Sequence, residues 1–161
     1  MTALRSVDEH LAHVLGAVRP TASESLPLAE ASGRVLAEPV FARNAVPPFD
    51  NSAMDGFAVR FADVADAAPE HPVTLRVVAD VPAGSALDPA IGPGEAARIM
   101  TGAPKPADAD AIVPFEDTAG GLADSLASAV VLAAPSRRGM HVRAAGRTSR
   151  PEPPCCPPER L

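Results

Sequence analysis

The sequence predicts an α+β fold, with one amphipathic helix near the N-terminus and a β-rich, barrel-like module after it. Two observations carry this. Leu11, Val14, Leu15 and Val18 recur at helical spacing early in the chain. Beyond Pro39, prolines and glycines recur every few residues, so the apolar segments between them have the length of strands rather than helices.

The first helix is expected over Ser6–Val18. Ser6 can cap it, with Glu9 three residues later in a capping-box arrangement; Asp8 and Glu9 lie where the helix dipole favours negative charge, and Pro20 stops it. A second helical stretch is expected from Leu28 to Ala37, where Leu28, Val35 and Leu36 can share a face despite Gly33. The expected strands are Phe57–Arg60, Val73–Val78, Ala97–Met100, Ala111–Phe115 and Ala129–Ala133, each bounded by turn formers. From Arg147 to Leu161 the chain packs five prolines and both cysteines into a stretch without apolar periodicity, and no ordered structure is expected there.

Composition narrows the function. Of 161 residues, 47% are hydrophobic and 21% charged, enough apolar surface for a core of Val, Leu, Ile and Ala. There is no Trp or Tyr and there are only five Phe, so stacking platforms for single-stranded nucleic acid are nearly absent. A formal charge of −6 with no basic stripe argues against a phosphate backbone as partner, so no nucleic acid is expected. No stretch approaches the ~20 apolar residues of a membrane span, and a cytoplasmic protein without a membrane partner is expected. Cys155 and Cys156 are adjacent, which suits neither an ordinary disulfide nor a four-ligand zinc site.

Two segments carry chemistry. The first, from Val46 through Phe49-Asp50-Asn51-Ser52-Ala53-Met54-Asp55-Gly56 to Val59, is stiffened by Pro47 and Pro48 and holds two carboxylates on a loop. Asp55-Gly56 marks a sharp turn into a strand, and a carboxylate there can meet a cation or take part in acid–base work. Equally, Asp50 can cap the loop internally and Asp55 can be the polar half of the turn. The second segment, Arg98-Ile99-Met100-Thr101-Gly102-Ala103-Pro104 continuing to Val113, ends a strand in a hydroxyl and an unhindered backbone. A ligand could approach closely there, or Thr101 could satisfy only its own turn. Phosphate-binding-loop, dinucleotide-binding and nucleophile-elbow patterns are absent. His10, His13, His71 and His141 are scattered and read as solvated residues.

Together the two segments resemble the hallmarks of the molybdopterin molybdenumtransferases, a family that includes gephyrin-like domains. The resemblance covers residues 6 to 146, and Phe57 stands where the family usually has Tyr. It implies insertion of molybdate into adenylylated molybdopterin with release of AMP, a divalent cation such as Mg2+, and a homodimer. It also implies catalytic roles for Asp55 and Thr101, with Asp55 at the metal, and substrate contacts from Asp50, Asn51, Ser52 and Gly102. The fold it implies is that of the family's N-terminal region. Residues 1–45 form the helical part of an elongated domain, 46–142 an inserted β-rich domain, and 143–161 a truncated returning segment with its tail.

The chain departs from the family pattern in two places. Asp108 stands where Gly is common, placing an extra charge at a turn. After Val142-Arg143 the family continues into Gly-Glu-Asp, whereas Gly146 here is followed by Arg147-Thr148-Ser149. A frameshift is the economical explanation, since the codons beneath residues 155–161, read one step out of phase, can encode the family's Val-Leu-Pro-Ala-Gly-Thr. The pterin-binding domain expected next would then be missing and the chain inactive alone. The competing expectations are a non-catalytic dimerisation or binding module, and an inactive pseudogene product.

Overall fold

A computed structural model describes residues 5–19, 21–123 and 125–148. The chain divides into two compact units, one running to Pro39 and the other starting at Val40. In the first, helix α1 spans Val7–Ala17. Ser6 Oγ accepts from the Glu9 amide at 3.2 Å while the Glu9 carboxylate accepts from the Ser6 amide at 2.8 Å, the reciprocal capping box that the sequence predicts. Val18 caps the C-terminus in extended conformation; Pro20, the expected stop, lies outside the described residues. The helix expected over Leu28–Ala37 does not form. Only a 3-10 turn, Leu28–Glu30, is present, because Gly33 adopts a φ of 77° and takes the backbone out of the helical region.

The second unit is built on a five-stranded mixed sheet. Its strands are β2 (Gly56–Val59), β3 (Val73–Val81), β4 (Glu95–Ile99), β5 (Ala111–Pro114) and β6 (Ser128–Val131) in the order β5-β2-β4-β3-β6. Two shorter strands, β1 (Asn51–Ser52) and β7 (Val142–Arg143), pair separately, and a one-turn helix α2 spans Phe61–Val64. All five expected strands exist, within about three residues of their expected bounds. Strand β3 runs further than expected because a bulge intervenes between Val77 and Ala79. The extra residue switches side-chain parity: Val77 packs on one face of the sheet and Ala79 on the other. Alternation read from sequence stops where the parity breaks. The two-residue strands and α2 are too short for any periodicity to announce them.

Only β3 and β4 run parallel, so the loop 82–94 must cross back over the sheet. It lays Ile91 against one face, where Ala58, Val81, Ala97, Ile99, Ala103, Ala109 and Ile112 form a buried cluster. The opposite face buries Phe57, Val59, Leu75, Val113, Phe115 and Val131, with the Phe57 and Phe115 rings edge to face at 5.2 Å. With both faces covered, β2 and β5 are buried at every position, which accounts for their unbroken apolar runs. The sheet curls into a half-barrel. Beyond β5 the chain reaches the far edge strand, where Thr118 bridges Val131 and the Ala119 amide donates to the Val130 carbonyl at 2.9 Å. The barrel-like expectation holds in this form, and the bridge shields an edge that would otherwise be open.

The returning segment continues two residues into the stretch expected to lack structure. Gly146 and Thr148 donate to the carbonyls of Pro47 and Val46, both at 2.9 Å, and the Arg147 amide donates to the Ala144 carbonyl at 3.2 Å. The rest of that stretch, residues 149–161, lies outside the described residues.

Gly56 is the position on which the sheet's centre turns. A Cβ there would lie 2.0 Å from the Val113 carbonyl oxygen and 2.8 Å from the Pro114 Cα, both backbone atoms of the neighbouring strand. Glycine is needed for close approach of β2 to β5, not for a left-handed turn. Gly56→Ala is expected to destabilise the fold by about 1–3 kcal/mol, as overpacking does. Denaturant unfolding will measure this, and a loss below about 0.5 kcal/mol would show that β5 moves aside freely.

Candidate active site

The two chemistry-bearing segments meet backbone to backbone. The Ser52 amide donates to the Ala103 carbonyl at 3.0 Å, the Gly102 amide to the Ser52 carbonyl at 2.9 Å, and the Lys105 amide to the Asp50 carbonyl at 2.9 Å. On the other side β1 pairs with β7, Asn51 opposite Arg143 and Ser52 opposite Val142. A loop with scarcely two residues of strand is thereby gripped from both flanks. The second segment turns at Thr101-Gly102, where the Ala103 amide donates to the Met100 carbonyl at 2.9 Å and Gly102 takes a φ of 83°. That is the geometry of a type II turn, whose third position favours glycine.

At the exposed end of this assembly Asp55 meets Thr101. The Thr101 amide donates to Asp55 Oδ1 at 2.6 Å, and its hydroxyl donates to the same oxygen at 2.7 Å. The backbone N–H of Thr101 first, then its hydroxyl, with a smaller pull from the Arg98 guanidinium, hold the Asp55 carboxyl below its ordinary range against a slight opposing effect of desolvation. Asp55 is therefore an anion at neutral pH with Oδ2 turned to no partner among the described residues. Because the Thr101 hydroxyl hydrogen is spent on Asp55 and the Gly102 amide on Ser52, the corner offers oxygen lone pairs rather than donors. It suits a cation, or a ligand that donates, better than a bare oxyanion.

The other residues expected at the site lie behind this corner. Asn51 and Ser52 are buried. Asn51 Nδ2 donates to the Phe49 carbonyl at 3.2 Å, and Ser52 Oγ donates to the Met54 carbonyl at 2.5 Å while accepting from the Met54 amide at 3.2 Å. Asp50 is exposed, and its Oδ1 accepts from the Ala145 amide at 2.8 Å, pinning the returning segment. Gly102 is exposed beside Thr101. Asp108, the extra charge, accepts from the Ile91 amide at 3.1 Å and leaves its turn intact, with the Ala109 amide on the Pro106 carbonyl at 3.1 Å. Among the described residues no three His, Cys, Asp or Glu side chains gather into a ready-made metal cage.

Two residues inside the quoted motifs escaped assignment from sequence. Asp110 accepts from the Phe61 amide at 2.5 Å at the start of α2 and pairs with Arg138 at 2.8 Å. Arg98 sits on the buried β4, pairs with Asp80 at 2.8 Å, and lies with its guanidinium carbon 5.8 Å from the Phe115 ring centroid. Its Nε is enclosed and has no hydrogen-bond acceptor among the described residues, an arrangement that costs about 1–3 kcal/mol. The signal was available: a charged residue within the apolar run Ala96-Ala97-Arg98-Ile99-Met100 is a buried charge in need of partners.

Comparison with known proteins places the chain. The family described as the MoeA N-terminal region (domain I and II) matches residues 5–155. Molybdopterin molybdenumtransferase 2 of Mycobacterium tuberculosis is 44% identical over 146 residues, which are 89% of this chain and 34% of that protein. Molybdopterin molybdenumtransferase of Nostoc sp. is 48% identical over 96 residues, 60% of this chain and 22% of that one. Among solved structures, the molybdopterin biosynthesis moeA protein of Pyrococcus horikoshii OT3 superposes with a TM-score of 0.69 at 31% identity, covering 84% of this chain and 34% of that one. The chain thus spans about a third of the length of such relatives.

The Asp55 contact has a pH signature. A carboxyl whose folded pKa is depressed contributes stability that is fully present above the unfolded value of about 3.9 and is lost as pH falls through the lower folded value. In an NMR titration Asp55 is expected to ionise below the ordinary range. Thr101→Ala should remove only part of the shift, since the backbone donor stays. Thr101→Pro removes both donors at a turn position that accepts proline and should abolish most of it. A wild-type midpoint at or above the ordinary value would mean that the contact is not held in solution.

Proposed function

The chain belongs to the MoeA N-terminal region family, and from that membership we propose that it serves molybdenum cofactor biosynthesis as one wall of the site where molybdate is inserted into molybdopterin. The observation that carries this reading is the convergence of Asp55 and Thr101, 46 residues apart, onto one exposed oxygen-rich corner held by a backbone ladder. The reaction is the transfer of molybdate to adenylylated molybdopterin with release of AMP. Asp55 and Thr101 act at the reacting end, and Gly102 keeps the approach open beside them. Asp50, Asn51 and Ser52 serve substrate binding by holding the loop in shape.

The donor set fits a magnesium ion that arrives with the substrate rather than one caged by the protein. Mg2+ is commonly held by one or two carboxylates plus substrate phosphates and water, and Asp55 offers one carboxylate oxygen with a Thr101 lone pair beside it. Such an ion would offset the negative charge of phosphate and molybdate oxygens, which the ionised Asp55 by itself repels. Asp55 would hold the ion, and the two Thr101 donors keep the carboxylate from rotating away.

A homodimer belongs to the same proposal. Helix α1 buries none of its residues, and Leu11, Val14, Leu15 and Val18 are all exposed, so an apolar face is left for a second chain to cover. No helix of the described residues is long and apolar enough to cross a membrane, so that face is not a span.

A chimera tests the function. Residues 5–148 are placed in the Mycobacterium tuberculosis molybdopterin molybdenumtransferase 2 in exchange for its matching region, and molybdate insertion is assayed. Asp55→Asn and Thr101→Ala should each lower the rate at least tenfold, about 1.4 kcal/mol of transition-state stabilisation, with melting temperatures lowered only by the loss of their exposed mutual contact. The Asp55 change should also weaken the dependence on Mg2+. Unaltered rates with lowered melting temperatures would return both residues to a purely structural role.

A further inference from the structure

Arg98 stands in a row of side chains that crosses three strands, with Asp80 on β3 and Phe57 on β2 as its partners in register. A terminal nitrogen pairs with Asp80 at 2.8 Å, and the guanidinium carbon lies 5.8 Å from the centroid of the Phe115 ring. Phe57 meets the same ring edge to face at 5.2 Å, so Phe115 is gripped between a cation and a second ring. The enclosed Nε has no acceptor among the described residues, which makes this a costly place to keep an arginine. A buried group kept at such a cost calls for a function. Shut off from solvent, that Nε meets no ligand; what the arginine holds is protein.

Phe115 in turn holds Asp55. Its amide donates to the Asp55 carbonyl at 3.1 Å, the rung that ends the β2–β5 ladder where Gly56 faces Pro114. The carboxylate of Asp55 is held separately, by Thr101, three residues beyond Arg98 on the turn that leaves β4. Between them the Met100 amide donates to the carbonyl of Val81, the neighbour of Asp80, at 3.2 Å. Arg98 thus joins the two structures that fix Asp55: the start of the 3-10 turn Phe115–Asp117 for its main chain, and the end of β4 for its side chain.

We propose that Arg98 is a positioning residue: anchored on Asp80, it clasps the Phe115 ring and so fixes the Asp55 main chain at the place where the carboxylate meets the Thr101 donors. It acts through Phe115 and not at the corner itself. The planar guanidinium can lie against a ring while one nitrogen serves a carboxylate, which a lysine ammonium cannot do in the same way. Asp80 is exposed, so the anchor can be removed without opening the core. A role for Arg98 in the reaction rests on the transferase reading above; the holding of Asp55 does not.

Amide hydrogen exchange of the whole chain, followed by NMR at neutral pH, reads that holding directly. In Arg98→Met, which keeps a long side chain and removes the cation, the Phe115 amide should exchange roughly tenfold faster and the Thr101 amide proton should move upfield. The Asp110 amide, on the Val59 carbonyl at 3.0 Å at the other end of β2, should exchange as before. Asp80→Asn alters an exposed position, so it serves even if Arg98→Met fails to fold, and should move the same two amides by a smaller amount. In the chimera, Arg98→Met should lower kcat roughly fivefold with KM for molybdopterin unchanged, and Arg98→Lys should recover only part of the loss. Equal acceleration of all three amides, or an unmoved Phe115 amide in both variants, overturns the proposal, as does an unchanged kcat in a chimera that turns over. A chimera without turnover before any substitution overturns the transferase reading instead, and exchange then decides whether Arg98 holds Asp55.

Discussion

The structure depends on a short backbone ladder between two loops that neither loop could hold alone. Asp50 and Ser52 share hydrogen bonds with Gly102, Ala103 and Lys105, while β7 grips the first loop from its other side. Buried backbone groups must be paired, and here neither partner belongs to an extended strand, so the pairing closes only when both loops are in place at once. Ser52 is fully buried at the crossing point and spends both lone pair and hydroxyl hydrogen on the Met54 backbone. That buried polar scaffold allows Asp55, three residues on, to be exposed and yet fixed.

The sheet supplies the distance over which this fixing is accurate. Gly56 lets β2 approach β5 within a spacing that no side chain would permit, and the same residue follows Asp55 directly. Strand β4, which delivers Thr101, pairs with β2 through Gly56 and Ile99. The carboxylate and the hydroxyl therefore emerge from adjacent strands at the same level. A two-face core dominated by alanine and valine holds these strands with little room for adjustment.

Charge is distributed with a matching division of labour. Asp55 is exposed with its pKa lowered by neighbouring donors, whereas Arg98, one strand position before Ile99, is partly buried against Phe115 and Asp80. The Arg98 guanidinium is nevertheless near enough to Asp55 to help lower its pKa, within a chain whose net charge is negative. Asp110 and Asp108 anchor α2 and the 82–94 crossover by accepting backbone N–H bonds.

Much of this was legible in the residues. The capping box of α1, the five sheet strands, the glycine after Asp55 and the turns of the two loop segments all follow from local chemistry, because caps, short apolar runs and turn formers act within a few residues of themselves. The helix expected at Leu28–Ala37 failed on a single left-handed glycine, and the length of β3 was hidden by a bulge that flips its faces. What local chemistry could not decide was which of several turn carboxylates would face solvent with a partnered oxygen and which would be consumed as a brace. Asp50, Asp55, Asp108 and Asp110 look alike in sequence, and their fates were set by contacts between residues 95, 46, 17 and 49 positions apart. Turn propensity determined that these aspartates would lie in loops; only the folding of the sheet, which brings distant N–H groups to some of them and open space to others, decided what each one does.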